Sequence, residues 1–372
     1  MILRSGTGRI AKRLSTPPAI PFKGDTMADE RTTYQSEIGT ACGCSFTYGV
    51  RIRKSDTDPF GRCEYIDDAK GFAPISGRDM GSWKDDPFIG KIKPVVLHDG
   101  VFRDLDRRDL TKLASGGPSC IDQVGYDAFT EFPSAYLSIT DDEDYVYVRI
   151  SSRKLDDTFK RLASTLNGEE VPVFRVGCFL GEVVDGGLYS RAGSTPSART
   201  TITQFIDYAH ARGEGYDIYT WHQHVYLQAL FLLLFKSTDS QVTLGQGYVH
   251  TGAKTVSAPM VYDNDLGMAG SPTDGEQRVS FLWVNDLWGN ILQLVGGAKT
   301  GVNGSLMVQT GRYSSTEDGF EEVFPGHGDV CGAITGVSGT TESGFFPTSA
   351  GKQYDESWPD FGHVASDAGW FP

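Results

Sequence analysis

The sequence predicts an α+β, β-leaning protein: a basic N-terminal arm, a β-rich domain, then a domain with two helices and a long loop-rich β region. Three observations predict it. Glycine is abundant, at 45 of 372 residues, and aromatics reach 12%, which suits tight turns and large buried side chains rather than a helical bundle. Several stretches between residues 47 and 165 alternate apolar and polar positions, the period of a half-buried strand. Helical periodicity then appears twice in succession, and the last 130 or so residues show none.

Taken in order, residues 1–46 form the arm, 47–170 the β-rich domain and 171–372 the last domain. FTYGVRIRK, KPVVLHD and DYVYVRISS are the expected strands of the β-rich part. YVYVRI is the clearest, with the acidic DDED before it as its turn. Short helical turns are expected at 107–114 and 156–163. VPVFRVGCFLGE opens the last domain as a strand pair or strand-turn. In TTITQFIDYAHAR, Thr201 is the expected N-cap, Ile202, Phe205, Ile206 and Ala209 share one face, and Gly213 stops the helix. Residues 218–236 are apolar nearly all round, so they predict a buried central helix. Beyond Ser240 regular helix disappears, yet the chain is too aromatic for disorder.

The net charge of −14 argues against a dedicated nucleic-acid binder, because phosphate binding wants a basic surface. Charge is uneven: Arg4, Arg9, Lys12, Arg13 and Lys23 face Asp25 alone in residues 1–26, a net of +4 against −18 elsewhere. No apolar core follows those basic residues, so a secretory signal is not expected. Either the arm is a disordered tail, with Met27 as an alternative start to Met1, or it orders against an acidic neighbour in an assembly. Cysteines 42, 44, 63, 120, 178 and 331 include one C-x-C and no second pair, which reads as reduced thiols of a protein made in a cytoplasm. FLLLF, the most apolar run, is far short of the ~20 residues of a membrane span, so no membrane insertion is expected.

Chemistry-bearing motifs are sparse. His222 and His224 in WHQHVY point in different directions on a helix, which makes joint metal ligation awkward. VYDNDLG and SDTDPFG contain fragments of calcium loops, but neither continues to a bidentate Glu, and Asx turns explain both. The carboxylates nearest to a metal set are Asp263, Asp265 and Asp286; no structural metal and no cofactor is expected. Glycine-rich phosphate cradles and a nucleophile elbow are missing, and no pair among 48 acidic residues stands out.

The stretch FLWVNDLWGNILQLVGG, residues 281–297, is similar to the Gly-Asn-Trp segment of the formylglycine-generating-enzyme branch of the C-type-lectin fold. Together with GVRIRKSDTDPFGRCEYIDDAKGFAP, EFPSAYLSI, YVYVRIS, the helix pair and TDSQVTLGQGYV, it resembles a family of phage-encoded structural proteins, usually tail or fibre components. The likeness covers roughly residues 46–300 and extends to the retroelement-diversified variable proteins. It implies that Trp288, Gly289 and Asn290 are scaffold, with Ile291, Leu292, Leu294 and Val295 buried against the central helix as a strand. Asn285 and Asp286 resemble the calcium-binding Trp-Asn-Asp of true lectins, with Val284 inserted. Only Cys331 stands where the enzymes need a reactive cysteine pair, and Leu292 and Leu294 replace their tryptophans, so catalysis is not expected. The chain stops at DAGWFP, where the family's closing strand is missing, shortened or supplied by another subunit.

In that fold the loops after the central strand form the ligand-binding face. Residues 301–372 carry 13 Gly, 8 Ser and 10 Phe, Trp or Tyr, a composition that favours either a paratope or a Gly-rich β core. Tyr313, Tyr354, Trp358 and Trp370 are the receptor contacts this reading prefers. The expected function is therefore a virion structural protein, made in the host cytoplasm, that binds a host-surface glycan or protein. Its expected partners are other virion proteins and two further copies of itself in a homotrimer. A capsid or collar decoration protein is the alternative, and an enzyme of the formylglycine-generating or glycan-acting type comes third.

Overall fold

The structure, a computed structural model, describes residues 45–56, 58–166, 169–248, 258–271, 275–291, 293–301, 305–316, 318–324, 332–350, 363–365 and 369–371. All but the last two residues of the expected arm lie outside them. The described part is β-rich with three α-helices, in agreement with the α+β class.

Seven strands come first: β1 (Thr47–Arg53), β2 (Cys63–Asp67), β3 (Lys93–His98), β4 (Val101–Asp104), β5 (Tyr126–Pro133), β6 (Tyr136–Asp141) and β7 (Tyr145–Ser151). The expected strands at 46–54, 93–99 and 144–152 are β1, β3 and β7. The DDED run turns as expected, because the Asp142 carboxylate accepts the N–H groups of Asp144 and Tyr145 at 2.9 and 2.8 Å. Between β3 and β4, Asp99 and Gly100 both have positive φ, the residue pair a two-residue hairpin favours. Residues 107–114 are turns and isolated bridges, not a helix. The side chains of Asp106 and Asp109 take the N–H groups of Arg108, Asp109 and Thr111, and such local bonds compete with helix. The turn expected at 156–163 forms in two pieces, one closed by the Phe159 N–H on Asp156 O at 3.3 Å and a 3₁₀ piece at Leu162–Ser164.

After a small hairpin of β8 (Thr165–Leu166) and β9 (Glu169–Glu170) comes β10 (Val173–Gly177), which pairs with β5. That pairing crosses the expected boundary at residue 170. Two antiparallel four-stranded sheets result, ordered β2-β1-β7-β6 and β10-β5-β3-β4. One buried core runs from Tyr48 to Val308 through both expected domains.

A hairpin of β11 (Glu182–Val184) and β12 (Gly187–Tyr189) precedes α1 (Ile202–His210). Thr201 caps α1 in a reciprocal box with Gln204, and Ala209 is its buried residue. α2 (Trp221–Phe235) starts three residues later than its apolar run because Thr220 forms the same box with Gln223. Thirteen of its fifteen residues are buried. It packs on β1 and β7, Tyr65 Oη donates to Leu233 O at 2.6 Å, and Tyr226 stands edge-on to Phe174 of β10. A single turn, α3 (Ser240–Thr243), is the last helix among the described residues.

The later strands are β13 (Ser280–Phe281), β14 (Val284–Asn285), β15 (Ala298–Thr300), β16 (Leu306–Gln309), β17 (Phe320–Phe324), β18 (Gly332–Thr340), β19 (Gly344–Ala350), β20 (His363–Ala365) and β21 (Gly369–Phe371). β13 pairs with β14, β15-β16-β17 form one sheet, and β19-β18-β20-β21 form another.

The 281–297 stretch departs from its expected form. Residues 288–291 are bend and 293–295 irregular, so the described residues there form no strand. Gly289 and Asn290 both have positive φ, and the Asn290 N–H goes to Tyr248 O, so no extended ladder can start there. Ile291 and Leu294 are exposed, at 40% and 47%, rather than packed on α2; Val295 is partly buried on the core, and Leu292 lies outside the described residues. Trp288 is half-buried, edge-on to Phe231, with its indole N–H on Gly245 O at 2.8 Å.

The residue at the centre is Trp283. With Leu282 it makes the two-residue turn between β13 and β14, at φ of 61° and 51°. Large side chains avoid that region, so burial must hold them there, and both are completely buried. The indole N–H donates to Arg107 O at 2.8 Å, and a Cβ on Gly267 would lie 2.4 Å from the ring. Glycine at 267 is what lets the indole lie flat.

Trp283→Ala is expected to cost about 3–5 kcal/mol as a core cavity. Trp288→Ala, losing half-buried area, should cost about 1–2 kcal/mol. Urea midpoints at constant slope measure both; a larger loss at Trp288 would contradict the ranking.

Candidate functional site

Several late segments converge on the N-terminal turn of α2. Trp221 N–H donates to Gly296 O at 2.7 Å, and its indole N–H to Ser343 O at 2.9 Å. The His222 Nε2 is 2.6 Å from Gly311 O, so it carries the proton. Tyr313 Oη donates to Asp217 Oδ1 at 3.1 Å, and His210 Nε2 lies 3.2 Å from Asp217 Oδ2. Close approach fixes two of these segments: a Cβ on Gly344 would sit 2.3 Å from Val225, and one on Gly296 would sit 2.9 Å from the Tyr313 ring. β16, between them, is anchored in turn by Gln309, whose amide donates to Ser314, Thr316 and Asp318 carbonyls.

Among the expected receptor contacts, Tyr313 is half-buried. Its ring leans on the Gly296–Gly297 backbone, and burial with Asp217 beside it pushes its hydroxyl pKa well up. It is a prop of the loop as well as a candidate contact. Trp370 is placed by its backbone, in β21 opposite Val364. Tyr354 and Trp358 lie outside the described residues.

The two helical histidines point apart: His222 to Gly311 O, His224 to Tyr219 Oη at 3.3 Å. Burial lowers both pKa values, that of His224 to about 4. The carboxylates nearest to a metal set are likewise engaged elsewhere. Asp263 faces Arg78 at 3.2 Å, Asp265 holds Arg108 through two bonds of 2.6 and 2.8 Å, and Asp286 is buried in an ion pair with Arg278. Asp56 and Asp58 accept successive backbone N–H groups as Asx turns. Among the described residues no three His, Cys, Asp or Glu side chains gather as a metal site. No described helix is long and apolar enough to cross a membrane. Described cysteines 63, 120 and 178 are free, and burial pushes the thiols of Cys63 and Cys178 up to about 12, which makes them inert.

A polar groove of about 380 Å³ opens at the end of the second sheet. The sequence reading places residues 107–114 in a helical turn and Asp265 among metal candidates, so it does not bring these residues together. The available signal was a charged DRRD held between Leu105 and Leu110, both fully buried. In the groove Lys93 meets Asp104 at 2.8 Å, Arg108 meets Asp265, and the Asp265 carboxyl is held below the usual range by that guanidinium. Arg107 is different. It donates to the carbonyls of Gly90 and Asp265, at 2.5 and 3.2 Å, and covers the Trp283 ring at 5.4 Å.

Neutral His224 makes stability depend on pH. Its folded pKa lies below the ordinary 6.5, so the unfolded chain binds the proton first. Its contribution is complete above pH 6.5 and is lost as pH falls toward 4, about 3 kcal/mol in all. Urea midpoints at pH 7 and pH 5 measure this, and His224→Gln should flatten the slope. EDTA is expected to leave melting unchanged, whereas Asp286→Ala, removing a fully buried carboxylate from its pair with Arg278, should cost about 3–5 kcal/mol. A drop of many degrees in EDTA would reinstate a metal.

No protein-family model matches the chain, and no curated protein matches it either.

Proposed function

We propose that the chain is a tail- or fibre-associated virion structural protein whose late loops bind a host-surface glycan or protein, without chemical turnover. The observation that carries this reading is the convergence of segments 296–297, 311–313 and 343–344 on residues 217–225. A helix buried on all sides is a stiff base, and loops rich in Gly, Ser and Tyr on a stiff base are how binding faces are commonly built. The resemblance to C-type-lectin-like phage proteins supports the same assignment, since there too the late loops carry the ligand. Other virion proteins and a homotrimer are the assembly partners in this reading, with the basic arm as a contact between acidic bodies.

The test has two parts. Antibody labelling should place the protein on purified particles, and labelled protein should bind host cells. Tyr313→Ala is expected to weaken attachment by about 1–3 kcal/mol. Tyr313→Phe, which keeps the ring on Gly296 and Gly297, should do much less. Particles without label, or attachment that ignores Tyr313→Ala at unchanged melting, would overturn the reading.

A further inference from the structure

The groove at the end of the second sheet stands apart from the late loops and has a chemistry of its own. Six charged side chains line it: Lys93, Asp104, Asp106, Arg107, Arg108 and Asp265. Two pairs neutralise one another, Lys93 with Asp104 and Arg108 with Asp265. That leaves Arg107 and Asp106. Among the described residues no carboxylate lies within ion-pairing distance of Arg107, whose bonds go only to two carbonyls. Burial pulls its pKa below the ordinary arginine value, only partly offset by Asp265 and Asp104. Asp106 spends Oδ1 on the backbone N–H groups of Arg108 and Asp109, at 2.9 Å each, and its other oxygen has no hydrogen bond among the described residues.

We propose that this groove binds a sugar bearing a carboxylate, with Arg107 as the carboxylate contact and Asp106 as a hydroxyl acceptor. A guanidinium fork fixed from behind by two carbonyls and an indole is preorganised for a planar anion. The charge balance selects a monoanion. With those two pairs neutral, Arg107 offsets one negative charge, and the second charge of a dianionic phosphate would stand beside Asp106 without a cation. Carboxylate oxygens on the wall call for donors, and a sugar's hydroxyls supply them. About 380 Å³ is at the small end of ligand sites and suits one or two rings.

The experiment titrates the full chain, by ligand-observed NMR, with glucuronate, galacturonate and N-acetylneuraminate, and with glucose, galactose and inorganic phosphate as controls. At least one acidic sugar should bind roughly tenfold or more tightly than its neutral counterpart. Arg107→Gln should abolish that preference. Because this change also touches the Trp283 cover, Asp106→Asn serves as the second variant: melting should be retained and affinity for the acidic sugar reduced several-fold. Binding by none of the three acidic sugars overturns the proposal. So does tighter binding of phosphate, or an acidic-sugar affinity that Arg107→Gln and Asp106→Asn both leave intact.

Discussion

A helix without an outward face obliges its surroundings to be built on every side, and α2 is such a helix. Leu227, Leu230 and Leu234 are fully buried on one turn after another, so no stripe of the helix is left for water. Its ends must then be satisfied from within. Thr220 and Gln223 close the N-terminus, and Lys236 closes the other by adopting the left-handed conformation, its N–H on Leu232 O. The sheets take one flank and the late loops another. Segments beyond residue 240 pair among themselves in two sheets, and Gly296, Gly311 and Ser343 tie them to the start of the helix.

The Leu282–Trp283 turn shows the same constraint at short range. Two-residue hairpins elsewhere in this chain use residues that accept positive φ, as Asp99-Gly100 does. Leu-Trp has no such tolerance, yet both side chains are wholly buried, and about 3–6 kcal/mol of combined apolar burial outweighs backbone strain of about 1–3 kcal/mol per residue only narrowly. Arg107 and Gly267 complete the indole's cage, so the groove's one guanidinium without a carboxylate partner is held by the same tryptophan that holds the core.

Much of the framework is legible in the sequence because it depends on period and caps. β1, β3 and β7 show through alternation, α1 through Thr201, and α2 through an apolar run too long for a strand. The site is less legible, for identifiable reasons. Asp265 and Asp286 look like metal ligands until Arg108, more than 150 residues away, and Arg278 claim them. Residues 288–295 look like a strand because four apolar residues cluster there; Gly289 and Asn290 turn the chain first. Arg107 falls in an expected helical turn, since nothing local says that it will lie over Trp283.

The placement of α2 also governs how the chain must be made. Both four-stranded sheets are complete once residue 177 has been synthesised, but α2 begins roughly forty residues further along. At about 5–20 residues per second the apolar faces of β1 and β7 wait several seconds on the ribosome for the element that covers them. For that interval the nascent chain is a pair of unfinished sheets with exposed valines and isoleucines, a natural client for a holding chaperone. Yield from a host should then respond to translation speed and chaperone supply more than to the stability of the finished protein.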